Sequence, residues 1–470
     1  MNIDKVNMVY FIGAGGIGMS ALARYFNITG REVAGYDLTS TALTRKLAGE
    51  GIEISFSDDE KTIPDTFLKN NEKDKILVVY TPAVPDKNRI LNYFKNNGYG
   101  VVKRSKLLGI LVNDKRSIAV AGTHGKTSVC TLTSHLLMQT GSGCNAFLGG
   151  LSVNYNSNML VNEDSDLFVV EADEYDRSFL QLRPDMAIIT SMDPDHLDIY
   201  GTYDEMVRGY NEFAGLVKDG GIIFYKQGLD PGGFAGAGIR LASYGIDRRA
   251  DYSAGNIRIS SDGHPVFDVV AAGLKLSDLR SGVLGRFNVE NALAAIAVAL
   301  QYGISPEHIR SGLESFRGIK RRFEVLINDP DCVLIDDYAH HPAELKACIS
   351  AVREIFPGRE ITGVFQPHLY TRTRDFADQF AESLDLLDKL VLLDIYPARE
   401  EPVPGVSSEL ILNKVKLENK ILCSREQLTG VLEELETDVV ITMGAGNIDA
   451  QVEPVKMVLL NKKQAGYEKT

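Results

Sequence analysis

The sequence predicts an α/β protein of three domains: a Rossmann-like N-terminal domain, a central domain with a mostly parallel sheet around a phosphate loop, and a C-terminal Rossmann-like α/β domain. Three observations carry this. Runs rich in Val and Ile alternate with amphipathic stretches of helical length along the chain, the pattern of domains built on parallel sheets. The succession of strand, polar loop and helix restarts in three segments. At 470 residues the chain exceeds what one hydrophobic core supports, and about three domains is the natural division.

The first segment opens at Val9 and closes at the polar break Val112-Asn113-Asp114-Lys115, predicting a domain over 1–114. The second opens with the apolar run 117–121 and finishes after an alanine-rich helix and the Gly318 region, predicting 115–320. Within it, residues 222–280 are glycine-rich and weakly periodic, and read as a β-rich subregion. The third covers 321–470, with strands expected at 333–335, 362–365, 391–393 and 439–441.

Composition excludes several classes. With 44% hydrophobic and 24% charged residues the chain is neither disordered nor fibrous. A net charge of −13 argues against a general polyanion binder, whose affinity rests on Lys and Arg neutralising phosphates. Small phosphorylated ligands need only a few placed cations, and Lys320-Arg321-Arg322 and Arg372/Arg374 are local concentrations of that kind. Five scattered cysteines without a Cys-x-x-Cys pair suit a reducing compartment. With no secretion signal and no run long enough to span a bilayer, the expected location is cytoplasmic.

Gly13-Ala14-Gly15-Gly16-Ile17-Gly18 follows a strand and opens a helix, the context in which backbone N–H groups approach a diphosphate at a helix N-terminus. Asp37 closes the second strand, where an NAD-binding domain holds its ribose. The loop alone also fits a tight turn without ligand, and any nucleotide diphosphate offers the same two phosphates.

Gly122-Thr123-His124-Gly125-Lys126-Thr127-Ser128 follows the apolar run ending at Ala121 and precedes a helix running to about Gln139. This is the arrangement of an ATP phosphate loop, with N–H groups around the β-phosphate, Lys126 for the β/γ oxygens and the Thr127 hydroxyl for Mg²⁺. A P-loop ATPase domain is therefore expected at the centre. The spacing departs from the usual form, since position 120 is Val. Two acidic clusters follow strands further on, Glu171-Ala172-Asp173-Glu174 and Asp193-Pro194-Asp195-His196-Leu197-Asp198. Carboxylates and a neutral imidazole at the C-terminal strand ends, beside the loop, suit Mg²⁺ held on phosphate oxygens. Each cluster alone would read as a solvated loop.

Asn288 and Asn291 begin the alanine-rich helix. Asn288 alone reads as an N-cap, but amides three residues apart share one side of the first turn and match the edge of adenine. In the third segment Asp336-Asp337-Tyr338-Ala339-His340-His341-Pro342 and Gln366-Pro367-His368-Leu369-Tyr370-Thr371-Arg372-Thr373-Arg374 each follow a strand. Zinc on His340, His341 and His368 is disfavoured, because adjacent histidines point different ways and no cysteine accompanies them.

This ordered set of motifs, spanning essentially the whole chain, resembles the Mur ligase family. The resemblance implies three domains binding, in order, a UDP-linked substrate, ATP and an amino acid. It implies an ATP-dependent ligase of peptidoglycan precursor synthesis that joins the lactyl carboxylate of UDP-N-acetylmuramate to L-alanine through an acyl phosphate, as a monomer or weak homodimer.

By motif, the glycine turn of Gly13, Ala14, Gly15, Gly16, Ile17 and Gly18, with Asp37, serves the UDP substrate. Lys126 and Thr127 serve phosphates and Mg²⁺, Glu171 and His196 the metal, and Asn288 and Asn291 the adenine. Arg322 approaches the γ-phosphate and Asp337 the ATP ribose, with Asp336 as the alternative. His341, His368 and Arg372 face the acceptor carboxylate and alanine, with His341 or His368 available to take a proton from the amine. Position 369 is Leu where some members carry Arg. Three other readings stand beside this one: an NAD-dependent oxidoreductase, a non-catalytic nucleotide-binding regulator, and the related ligase that recycles whole peptides.

Overall fold

The computed structural model describes residues 3–467 except 69–71, 142, 196, 235, 237, 247–248, 272 and 399. Its described strands form three sheets. The first is five-stranded and parallel, in the order Glu53–Ser55, Glu32–Tyr36, Met8–Ile12, Ile76–Tyr80, Gly100–Lys103. Its central strand, Met-Val-Tyr-Phe-Ile, is buried throughout, which explains its unbroken apolar run: a parallel strand covered on both faces has no solvent side to alternate with.

The second sheet has ten strands. Arg116–Ala121 lies between Met186–Ile189 and Leu167–Glu171, all parallel. Residues 222–280 form the expected β-rich region as five strands that extend this sheet and end in an antiparallel pair, Pro265–Ala271 with Leu274–Arg280. At the other edge the hairpin of Asn145–Ser152 and Ser157–Leu160 is antiparallel. The third sheet has six strands, in the order Glu324–Asp329, Cys332–Asp337, Val439–Met443, Ile361–Phe365, Lys389–Leu393, Lys420–Cys423. Only its first pairing is antiparallel. All four strands expected here are present; the two outermost were not anticipated.

Packing divides the chain into two compact units. One holds 1–257, 266–282 and 289–317; the other holds 258–265, 283–288 and 318–470. In the first, one hydrophobic core runs from the first sheet's helix Ile17–Ile28 to the second sheet, with Tyr25 against Phe147 at 5.5 Å and Phe168 at 6.2 Å between ring centres. Phe179 and Phe213 stack there at 5.1 Å, both fully buried. Phe213→Ala is expected to lower stability by about 3–5 kcal/mol, read as a lower urea midpoint with an unchanged slope.

Among the described residues no helix is long and apolar enough to cross a membrane.

Candidate active site

The phosphate loop forms as its residues dictate. Strand Arg116–Ala121 ends on Gly122 at φ +130°, and Gly125 at φ +83° starts helix Lys126–Met138. Both are left-handed positions that favour glycine. Space decides as well: a Cβ at Gly122 would lie 2.7 Å from the Ser191 nitrogen, and one at Gly125 would lie 2.9 Å from the Asn291 side-chain oxygen. The loop is braced by the end of strand Met186–Ile189, since the His124 N–H donates to Ser191 Oγ (2.8 Å) and the Thr123 hydroxyl to the Asp193 carbonyl (2.8 Å).

Lys126 folds back onto its own loop. Its ammonium donates to the Gly122 carbonyl (2.7 Å), the Thr123 carbonyl (3.3 Å) and the Glu174 carboxylate (2.8 Å). The Glu174 side chain is 1% exposed and that of Lys126 13%. Burial opposes the charge of Lys126, but Glu174, Glu171 and Asp173 outweigh it and hold its pKa above the ordinary lysine value. Burial lifts the Glu174 carboxyl above the usual range, against the pull of Lys126.

Glu171 ends strand Leu167–Glu171, and its carboxylate occupies the place where a Cβ at Gly149 would be. Absence of a side chain at 149 thus makes a seat for this carboxylate. Thr127 lies at the start of the loop helix and is 7% exposed. A hard oxygen ligand and a hydroxyl beside a phosphate loop fit Mg²⁺. His196, expected as a further ligand, lies outside the described residues. Asn291 meets Gly125 at the loop as above, in the first turns of helix Phe287–Gln301. Asn288 is inside that helix rather than its cap, its amide donating to the Leu284 carbonyl (2.7 Å).

In the first glycine turn most backbone donors are already used. Gly13 and Ala14 donate to the Tyr36 carbonyl (2.8 and 3.0 Å), and Gly16 to the Gly13 carbonyl (3.3 Å). Gly15 donates to Asp37 Oδ2 (2.7 Å), whose other oxygen takes the Thr39 N–H (3.0 Å). The first helical turn, Ile17 and Gly18, is where unbonded helical N–H groups are expected. Gly18 lies under Arg104, which also pairs with Asp173 at 3.3 Å. The C-terminal strand edges of the first two sheets are therefore adjacent.

In the second unit the predicted clusters gather at C-terminal strand ends. Asp336 is buried, accepting from Thr442 Oγ1 (2.6 Å) and Arg321 Nε (3.2 Å). Asp337 accepts the N–H groups of Phe323 (2.6 Å) and Ala339 (2.8 Å), and burial pushes its pKa up to about 6 against the opposing charge of Arg322. Arg322 and Arg321 both lie over the Tyr338 ring, at 5.2 and 5.3 Å. His368 stacks on Tyr396 and lies 3.3 Å from Arg372 Nη1.

The adjacent histidines diverge. His340 turns its Nδ1 to the Tyr338 carbonyl (3.0 Å) and Glu344 (3.2 Å), whereas His341 packs edge-on to Phe376 at 5.0 Å. No group of three metal-binding side chains occurs among the described residues. Leu369 adopts φ +72°, ψ 137°, a strained conformation for a side-chain-bearing residue. It is held by the bond from its N–H to the Tyr396 carbonyl (2.9 Å).

Three residues that bear on these clusters were not singled out from sequence, Arg104, Gly149 and Glu344, and Glu174 was read only as one member of its acidic cluster. Of the three, Arg104 alone left a sequence signal, as the first residue after a strand of a parallel sheet.

Comparison with known proteins agrees with this geometry. Family models described as Mur ligase family, catalytic domain; Mur ligase middle domain; and Mur ligase, glutamate ligase domain match residues 8–116, 120–299 and 321–446. The chain is 49% identical over 459 residues to a protein of Parabacteroides distasonis named UDP-N-acetylmuramate--L-alanine ligase, covering 98% of each. It is 52% identical over 453 residues to a protein of that name from Porphyromonas gingivalis strain W83, covering 96% of this chain and 98% of the relative. Its structure is similar to the crystal structure of UDP-N-acetylmuramate-alanine ligase MurC from Thermotoga maritima, with a TM-score of 0.80 at 25% identity, covering 98% and 99% of the two chains. With the motifs, the three-sheet fold and near-full-length relatives in agreement, the chain belongs to the Mur ligase family.

Proposed function

We infer that this chain is the ATP-dependent ligase that joins the lactyl carboxylate of UDP-N-acetylmuramate to L-alanine, releasing ADP and phosphate, in peptidoglycan precursor synthesis. The observation that carries the reading is the adjacency of two ligand edges in one unit. The glycine turn of the first sheet lies beside the phosphate loop and strand-end acids of the second, through Arg104 and Asp173. A reaction that passes a phosphoryl group from ATP to a carboxylate needs its two substrates side by side.

A carboxylate is a poor electrophile, and transfer of the γ-phosphoryl group to one of its oxygens makes an acyl phosphate whose carbon the alanine amine attacks. Phosphate leaves, and an amide forms. Lys126 is assigned to the charge on the β/γ oxygens, and the Gly122–Ser128 segment to the triphosphate. Thr127, Glu171 and His196 would hold Mg²⁺, which supplies charge neutralisation on the phosphates when bound. Asn291 and Asn288 are assigned to adenine, Asp337 to the ribose and Arg322 to the γ-phosphate. His341, His368 and Arg372 are assigned to the acceptor carboxylate and alanine. Gly13, Ala14, Gly15, Gly16, Ile17, Gly18 and Asp37 are assigned to the UDP substrate. These roles, and the domain limits 1–114, 115–320 and 321–470, rest on motif position. ATP, a UDP-linked substrate and five unpaired cysteines suit the cytoplasm.

Phosphate release is the test, with UDP-N-acetylmuramate, ATP and Mg²⁺ each omitted in turn and L-alanine replaced by glycine, L-serine or the tripeptide of the recycling reaction. Full turnover is expected with L-alanine only when all components are present. Faster release with the tripeptide would make this the recycling ligase, and release independent of any amine would remove the ligase reading.

A further inference from the structure

Arg104 is delivered by the first sheet at the C-terminal end of strand Gly100–Lys103 and begins helix Arg104–Val112. Its guanidinium rests on the first turn of helix Ile17–Ile28. A Cβ at Gly18 would lie 2.6 Å from Nη1, 3.2 Å from Cδ and 3.3 Å from Cζ, so glycine there makes the seat. On its far side Nη2 lies 3.3 Å from Asp173 Oδ2, and the other oxygen of Asp173 accepts the Tyr175 N–H at 3.1 Å.

The pair reads poorly as a structural staple. Its side chains are 21% and 36% exposed, a setting in which ion pairs contribute little. Shorter contacts already join the elements packed on the two sheets. Buried Arg24 bonds Asn158, whose amide donates to Ser20 Oγ (2.9 Å), and the Asn113 amide donates to the Gln181 carbonyl (2.9 Å).

What distinguishes Arg104 is the turn it touches. The N–H groups of Gly13, Ala14, Gly15 and Gly16 are bonded within the protein, and the Asp37 carboxylate adds negative charge at the rim. A diphosphate seated on this turn therefore depends on the first helical N–H groups and on a cation. Arg104 supplies that cation over Gly18, with a planar fork matched to phosphate oxygens. We propose that Arg104 is a positioning residue that clamps the diphosphate of the UDP-linked substrate, giving up Asp173 as it does so. The proposal rests on the reading of the first sheet as the UDP-substrate site.

Titration of UDP, which lacks the muramyl group, into the intact wild-type chain and its variants tests this by calorimetry. Arg104→Gln is expected to weaken UDP binding by roughly ten- to a hundredfold, the range for a lost hydrogen bond to a charged group. In turnover, its KM for UDP-N-acetylmuramate rises while the KM values for ATP and L-alanine stay near wild type. Arg104→Lys recovers part of the affinity, and Asp173→Asn binds UDP as tightly as wild type or more so. Wild-type affinity in Arg104→Gln, or equal losses of UDP affinity and melting temperature in Arg104→Gln and Asp173→Asn, would overturn the clamp while leaving the UDP site in place. A wild-type chain that bound neither UDP nor UDP-N-acetylmuramate would overturn the site reading and the clamp together.

Discussion

Lys126→Ala loses about two or more orders of magnitude in turnover, the usual consequence of deleting a group that stabilises developing charge, and it also loses stability. The second effect follows from Glu174. That carboxylate is buried and bonded to the ammonium, and removing one partner of a buried pair typically destabilises by about 3–5 kcal/mol because the other charge is stranded. The double variant Lys126→Ala/Glu174→Gln separates the two, recovering most of the stability and none of the turnover. If the double variant were as active as wild type, the lysine would have no part in the reaction.

The sign with pH is also determined. Burial raises the Glu174 carboxyl even with Lys126 present, and without it nothing from that ammonium opposes the rise. A carboxyl raised in the folded state binds its proton more tightly there than in the unfolded chain. Its stabilising protonation is complete below the unfolded pKa of about 4.3 and is lost as pH rises through the folded value. Lys126→Ala is therefore expected to lose stability relative to wild type between mildly acidic and neutral pH, measured by urea unfolding at several pH values. A difference from wild type that did not change with pH would mean that Glu174 finds another counter-charge.

Gly149→Ala is expected to act as a remote copy of Glu171→Ala. A methyl group at 149 would occupy the seat of the Glu171 carboxylate, and the flexible end of that side chain is what moves. The fold persists, with a melting temperature close to wild type. Turnover falls by about two orders of magnitude, and more Mg²⁺ is needed for half-maximal rate. Because both changes remove one carboxylate from one position, their effects do not add: the double variant is expected to be little worse than either single one. Additive losses would show that Gly149 matters for some other reason.

The strands that are buried on both faces were legible as apolar runs, and so were the glycine loops and helices that follow them. The edge strands were not. Glu53–Ser55 and Lys420–Cys423 are short and half-exposed, so neither a continuous nor an alternating pattern marks them. Lys126, Glu171 and His368 were legible as candidates because each sits in a dense motif at or just after a strand end, and Asn291 because it lies three residues after Asn288 at the start of a helix. Three acids within the stretch Glu171-Ala172-Asp173-Glu174 gave no sign that Glu174, rather than Asp173, turns toward the lysine. Gly149 was invisible for a different reason: it works by lacking a side chain, and the carboxylate that fills the gap comes from another strand.

The bond between the Gly15 N–H and the Asp37 carboxylate has a bearing on inhibitor chemistry. It fixes an acid of the protein's own at the rim of the turn, with each carboxylate oxygen engaged once by backbone and retaining a lone pair. Neutral hydroxyl groups, as on a sugar, can donate to that rim. On the proposed reading of the turn as the UDP site, phosphate mimics belong under Arg104, and a group that approaches Asp37 itself gains affinity as a hydrogen-bond donor rather than as an anion.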